Sequence, residues 1–201
     1  MITIVLQAGG ESTRMGEDKA FLPFLGIPLI NRLMDRFQHL NAEMLIISNN
    51  PSAFQDIGLP VFEDVLPGRG ALGGLLTALT AAPTSLVGLI AVDMPFASPH
   101  LFEFMAGRIQ ESNLDGIIPS TSYGLETLHA VYRKESCLPL VEEAIDQDLW
   151  RMKAWHQNAN LKILNPDEVL QITGSEHTFL NLNTPEEFRA AEEIARDLGL
   201  E

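Results

Sequence analysis

Hydrophobic and polar positions fall into short apolar runs separated by longer amphipathic stretches. The runs Ile2–Leu6, Met44–Ser48, Val61–Glu63, Leu86–Val92 and Gly116–Pro119 predict strands. Between the first two, apolar residues at 29, 30, 33, 34, 37 and 40 repeat with the period of a helix over 29–40. Gly73–Ala82 and Leu101–Ile109 predict further helices, the second opened by Ser98 as cap and Pro99 in its first turn. The strands are continuous apolar runs rather than alternating ones, as burial on both faces requires. Strands alternating with helices predict an α/β fold: an open, mostly parallel sheet covered on both sides.

Past residue 120 the rhythm changes. Glu126–Arg133 alternates loosely and predicts an antiparallel strand, followed by a helix over Lys134–Gln147. Leu161–Leu164 and Thr178–Leu182 predict short strands. Thr184-Pro185-Glu186-Glu187 opens a last helix, with Thr184 as cap, proline at the first position and Glu187 closing a capping box. No repeat, low-complexity tract or linker interrupts the chain, so one domain over residues 1–201 is expected.

Composition narrows the class. Apolar residues make up 46% and charged residues 20%, the balance of a globular protein rather than a disordered one. A net charge of −14 excludes a general nucleic-acid binder, which needs a basic face. The single cysteine, Cys137, cannot form an intrachain disulfide, which points to a reducing compartment. Ile2–Leu6 is too short and lacks the basic lead of a signal peptide, and no apolar run reaches the ~18 residues of a membrane span. The expected location is the cytoplasm, with no membrane partner.

Against that acidic background the first strand runs into Ala8-Gly9-Gly10-Glu11-Ser12-Thr13-Arg14-Met15-Gly16-Glu17-Asp18-Lys19. Arg14 and Lys19 are the only positive side chains in the first 31 residues, set among glycines whose backbone can approach and cradle a polyphosphate. The spacing is neither a Walker A loop nor G-x-G-x-x-G. Asp93, in Val92-Asp93-Met94-Pro95-Phe96, follows the strongest predicted strand, at the edge where open α/β sheets bind ligands. A lone carboxylate there can hold Mg²⁺ shared with substrate phosphates. Asp64 ends another strand before Pro67-Gly68-Arg69-Gly70-Ala71-Leu72-Gly73-Gly74 and can accept from a purine's N–H groups. Asn49 and Asn50 end a third, and Asn181 and Asn183 precede the last helix. Each has a plain alternative: Asp93 as a turn before Pro95, the glycine stretch as an ordinary loop, Asn-Asn-Pro as turn chemistry, Asn183 as the entry to a cap. His129 reads as a structural histidine, the other histidines form no metal-ligand spacing, and no G-x-S-x-G elbow is present.

The opening loop resembles the signature of the nucleotidyltransferases that build molybdenum cofactors, above all the molybdenum cofactor guanylyltransferase family. Gly26-Ile27-Pro28-Leu29, Glu63-Asp64, Pro67-Gly68, Leu72-Gly73-Gly74, Asp93-Met94-Pro95-Phe96 and Asn181-Leu182-Asn183-Thr184-Pro185-Glu186 match further blocks in order. The resemblance implies a three-layer α/β/α, Rossmann-like nucleotidyltransferase fold with an antiparallel addition. It implies a nucleotide-binding half over about residues 1–120 and an acceptor-binding half over about 121–201. It further implies that Gln7, Ala8, Gly9 and Gly10 line the guanine and ribose of GTP, and that Arg14 and Lys19 meet the triphosphate. Asp64 and one of Asn49 and Asn50 would read the base, Asp93 would hold Mg²⁺, and Asn181 and Asn183 would lie near the acceptor, molybdopterin or its molybdenum-loaded form. Other proteins of molybdenum cofactor biosynthesis are further candidate partners.

Two positions depart from the family pattern: Gln7 stands where leucine is common, and Thr127 where a proline often precedes Leu-x-Ala. Ala8-Gly9-Gly10 and the methionine after Asp93 favour the guanine branch over its cytidylyl relatives. The rival readings are cytidylyl transfer to molybdopterin, nucleotidyl transfer to a sugar or other small phosphate, and a non-catalytic GTP-binding protein.

Overall fold

A computed structural model of the chain describes residues 1–8 and 18–200. At its centre is β1 (Ile2–Gln7), flanked in parallel register by β4 (Ala42–Ile47) on one side and β6 (Leu86–Ala91) on the other. β5 (Val61–Phe62) extends the sheet beyond β4, also in parallel. Beyond β6 comes β9 (Val131–Arg133), antiparallel to it, and then β7 (Gly116–Thr121), antiparallel to β9. β10 (Leu161–Leu164) closes that edge parallel to β7, giving the order β10-β7-β9-β6-β1-β4-β5. The two reversals cancel, so β7 and β10 run the same way as β1, β4 and β6. One sheet thus takes strands from both ends of the chain, with the expected antiparallel addition supplied by β9.

The pleat sorts the core. Along β1, Ile2, Ile4 and Leu6 face one side with α1 (Leu29–Phe37), α3 (Pro99–Gln110) and α5 (Pro166–Thr173), whereas Val5 faces the other with α2 (Gly70–Ala81) and α4 (Lys134–Asp146). Helices on both faces account for the unbroken apolar strands, each buried side chain contributing about 1.5–3 kcal/mol. Gly88 in β6 lets the Phe102 ring of α3 lie against the sheet, since a Cβ there would stand 2.7 Å from Phe102 Cδ1. Cys137 is wholly buried on α4, where burial pushes its thiol up to about 12. A third cluster packs α6 (Pro185–Asp197) against the short hairpin β2 (Pro23–Phe24) and β3 (Ile27–Pro28) and against Phe96. The Thr184–Glu187 capping box that opens α6 is formed in both directions.

Several local expectations are corrected. Only Val131–Arg133 of the segment 126–133 is a strand: the Glu126 carbonyl accepts from the His129 N–H, closing a turn that lifts 126–129 off the ladder. Thr178–Leu182 is not a strand; it turns, with Leu180 N donating to His177 O, and Leu182 N is drawn instead to the Asp93 carbonyl at 3.0 Å. Ser98 precedes α3, but its side chain makes no capping bond. α2 begins at Gly70 rather than Gly73. α5 was not expected, although Asn165 and Glu168 form a full capping box around Pro166. β8 (Gly124–Leu125), which folds back on β7, was also unexpected.

Candidate active site

The parallel strands deliver their carboxyl ends to one rim, so Gln7, Ile47 and Ala91 end side by side and the loops after them converge. Two neighbouring groupings form there.

The first is built around Lys19. Asp18 caps a short 3₁₀ turn over Lys19–Phe21 by accepting from Ala20 N at 3.1 Å, which fixes where the lysine leaves the backbone. The Lys19 ammonium donates to Asp93 Oδ2 at 3.2 Å and to Asn183 Oδ1 at 2.7 Å. The Lys19 and Asp93 side chains are only 18% and 19% exposed, so their attraction is less screened than that of a surface pair. The Asn183 and Thr184 N–H groups both donate to Glu187 Oε2, and the Leu182 N–H to the Asp93 carbonyl. Residues 74 and 164 positions apart in sequence from Lys19 are thereby held at one point.

This cluster offers a cation one carboxylate and one amide oxygen. Among the described residues no three His, Cys, Asp or Glu side chains converge, so these residues build no closed metal cage. A single carboxylate with a second hard oxygen nearby does fit Mg²⁺, which keeps waters and takes its remaining ligands from phosphates. Lys19 Nζ already rests against both oxygens, which shows that the arrangement favours positive charge.

The second grouping is a cavity of about 510 Å³ lined by Gln7, Asn49, Asp64, Gly70, Gly74 and Leu128, among others. Asp64 is fixed at one oxygen: Oδ1 accepts from Leu66 N at 3.1 Å and from the Thr77 hydroxyl at 2.8 Å. Thr77 in turn accepts from Val65 N at 3.0 Å, locking the strand-end loop onto α2. The Gln7 carboxamide packs against Gly74, where a Cβ would stand 2.9 Å from Nε2; glycine is required there while Gln7 keeps this position. Gln7 Nε2 is buried and has no hydrogen-bond partner among the described residues.

Of the residues singled out from sequence, Gln7, Asn49 and Asp64 line the cavity, and Lys19, Asp93 and Asn183 meet beside it. Ala8 is tied to the rim by its N–H to Ile47 O at 2.9 Å. Asn50 points away into local structure: its Oδ1 accepts from the Ser52 hydroxyl at 2.8 Å, so Asn49 is the member of the pair at the cavity. Asn181 is exposed, as is Asn183, with the buried Leu182 between them. Gly9, Gly10 and Arg14 lie outside the described residues. His129 is structural: it is fully buried against Phe102, Phe179 and Met94 Sδ, and desolvation lowers its pKa to about 3. Sequence reasoning missed Thr77; the only signal was a threonine one helical turn beyond Gly73, on the face that meets Asp64.

Residues 4–160 match the model of the MobA-like NTP transferase domain, more than three quarters of the chain. The chain belongs to that family. It is therefore a nucleotidyltransferase. A protein of Desulfosudis oleivorans named molybdenum cofactor guanylyltransferase is 29% identical over 192 residues, 95% of this chain and 94% of the relative. A Carboxydothermus hydrogenoformans protein named as a probable molybdenum cofactor guanylyltransferase is 29% identical over 187 residues, 93% of each chain. Among solved structures, molybdopterin-guanine dinucleotide biosynthesis protein A of Archaeoglobus fulgidus superposes with a TM-score of 0.83 at 22% identity, over 97% of this chain and 99% of that one. The shared fold is that of an α/β nucleotidyltransferase. No helix among the described residues is long and apolar enough to cross a membrane.

Proposed function

We propose that this protein transfers GMP from GTP to the terminal phosphate of molybdopterin, with or without its metal, releasing pyrophosphate. The observation that carries the reading is the meeting of Lys19, Asp93 and Asn183 beside a cavity whose wall holds a fixed carboxylate, Asp64. A cationic point for phosphates next to a pocket with an acceptor for N–H groups is what a nucleoside triphosphate presents in complement. The names of the relatives supply the choice of guanine and pterin.

In the reaction an oxygen of the acceptor phosphate attacks the α-phosphorus of GTP, and the bond to the bridging oxygen of pyrophosphate breaks. A phosphate monoester is anionic at neutral pH, so the attacking oxygen needs no base from the protein. The chain's work is positioning and charge neutralisation. Lys19 follows the charge that grows on the leaving pyrophosphate, with Arg14 as its partner. Asp64 accepts from the guanine N1–H and 2-amino group through the oxygen that Thr77 and Leu66 do not occupy. Adenine would leave that oxygen unpaired, which is the basis for rejecting ATP. Asp93 and Asn183 would hold Mg²⁺, which when bound supplies Lewis-acid polarisation of the α-phosphate.

The test is pyrophosphate release by the purified protein with magnesium and GTP, with and without molybdopterin, beside CTP and ATP. Release that requires molybdopterin and strongly prefers GTP is expected. Equal release with CTP or ATP, or none with any nucleotide, would overturn the assignment.

A further inference from the structure

The β7–β8 hairpin lies on the rim at which the strands end, and none of its residues has been assigned to the site. β7 runs parallel to β6, so its end at Thr121 opens on the same rim as Asp93. Only β9 separates β6 from β7, which puts the hairpin tip about 10 Å along the rim from the Asp93 loop, two strand spacings away. The tip carries Tyr123, which is 99% exposed. Its presentation is built rather than loose: the Thr121 hydroxyl accepts from Tyr123 N at 3.2 Å and donates to Glu126 Oε1 at 3.1 Å. Glu126 N is fixed to Pro119 O at 2.8 Å. Glu126 is half-buried, and burial raises its pKa. Its Oε2 has no partner among the described residues, and two residues on, Leu128 lines the nucleotide cavity. The same short segment therefore touches the nucleotide site at one end and clasps the aromatic hairpin at the other.

We propose that Tyr123 and Glu126 hold the ring end of the acceptor, Tyr123 by stacking on a flat heteroaromatic face and Glu126 by accepting from its adjacent ring N–H and amino groups. This rests on the function proposed above. A pterin carries that donor pair, and its phosphate lies at the opposite end of the molecule, matching a rim that sets a carboxylate and an aromatic ring some distance from the phosphate-handling cluster. A partly desolvated carboxylate makes a stronger acceptor than an exposed one. Neither residue touches Lys19, Asp93 or the nucleotide cavity directly, so both bear on acceptor affinity and not on GTP.

The experiment is steady-state kinetics with GTP and molybdopterin on the wild-type protein and on Tyr123→Ala, Tyr123→Phe and Glu126→Gln. Thermal unfolding checks that each is folded. Glu126→Gln retains an oxygen for Thr121, and Tyr123 is fully exposed, so the folded state is retained. The expected result is a KM for molybdopterin raised about tenfold or more in Tyr123→Ala and Glu126→Gln, with KM for GTP unchanged and Tyr123→Phe near wild type. Wild-type turnover with unaltered molybdopterin KM in both variants would overturn this inference and leave the function intact. A wild-type protein inert with molybdopterin but active with another phosphate would overturn the function, and the ring-binding role with it.

Discussion

Thr77→Val is the most discriminating single change, because it removes one oxygen and almost no volume. Thr77 is buried, and its hydroxyl joins three groups: Asp64 Oδ1 at 2.8 Å, Gly73 O at 3.0 Å and the Val65 N–H at 3.0 Å. Valine fills the same space but leaves the Val65 donor without its acceptor and strips Asp64 of one of its two fixed bonds. An orphaned donor costs about 1–3 kcal/mol and the lost hydrogen bond about 1 kcal/mol more, so a total near 2–4 kcal/mol is expected. For a chain of this length that lowers Tm by about 5–15 °C without unfolding the protein at 25 °C. Asp64 would still accept from Leu66 N but would rotate more freely. Fixing one such side chain on binding costs about 0.5–1.5 kcal/mol, which raises KM for GTP by roughly two- to tenfold. On the proposed function the phosphates sit at the Lys19 cluster, away from Asp64, so kcat should stay within about twofold. Calorimetry and pyrophosphate-release kinetics read both halves. A kcat loss with KM for GTP unchanged would refute the view that Thr77 acts by holding Asp64, and an unchanged Tm would refute the energetic reasoning.

The charged cluster makes a contrasting forecast: Lys19→Met and Asp93→Asn should each lower kcat/KM by about 10²–10³ with normal folding by circular dichroism, and near-wild-type turnover in either would remove it from the machinery. Gly88→Ala pushes a methyl against Phe102 and should cost about 1–3 kcal/mol, seen as a lower urea midpoint with both KM values unchanged. His129 supplies a pH signature. Its folded pKa lies near 3 against an ordinary 6.5, so the stability it contributes is present above about pH 6.5 and is lost as pH falls towards 3. Replacing His129 with Gln should flatten urea-derived stability against pH across that window by up to about 1.4 kcal/mol per pH unit; an unchanged slope would show that His129 is not the buried neutral group.

The parts legible in the sequence share a physical cause. Buried parallel strands must be apolar throughout, so β1 and β6 announce themselves, and β9 was recognised as a reversal although its start was misplaced by five residues. Asp64 and Asp93 stand out because strand ends are where an α/β sheet meets ligand. Long-range pairings stayed hidden: no local pattern states that the amide of Asn183 accepts from Lys19, or that Thr77 fastens Asp64. Thr178–Leu182 misled for a related reason. Its apolar residues look like a strand, yet they are buried singly against the Asp93 loop and α6 rather than in a ladder. Asn49 and Asn50 were indistinguishable because the choice depends on Ser52 capturing one of them.

The insertion of β9 between β6 and β7 has a consequence for the order of assembly. β1, β4, β5 and β6 all lie before residue 92 and can pair as soon as that length of chain is free. Until residues 131–133 arrive, the outer backbone of β6 is an open, apolar strand edge, a template for pairing with another chain. β7 cannot shield it, because β7 reaches β6 only through β9. The three residues Val131-Tyr132-Arg133 thus act as a keystone placed late, spanning some 43 residues back to Gly88. Loop closure over that distance is slow compared with local helix formation. During synthesis the first half therefore passes through a stage in which the edge of β6 is unguarded and Leu128 and Asn183 have yet to join the rim, and aggregation competes most strongly at that stage rather than in the finished molecule.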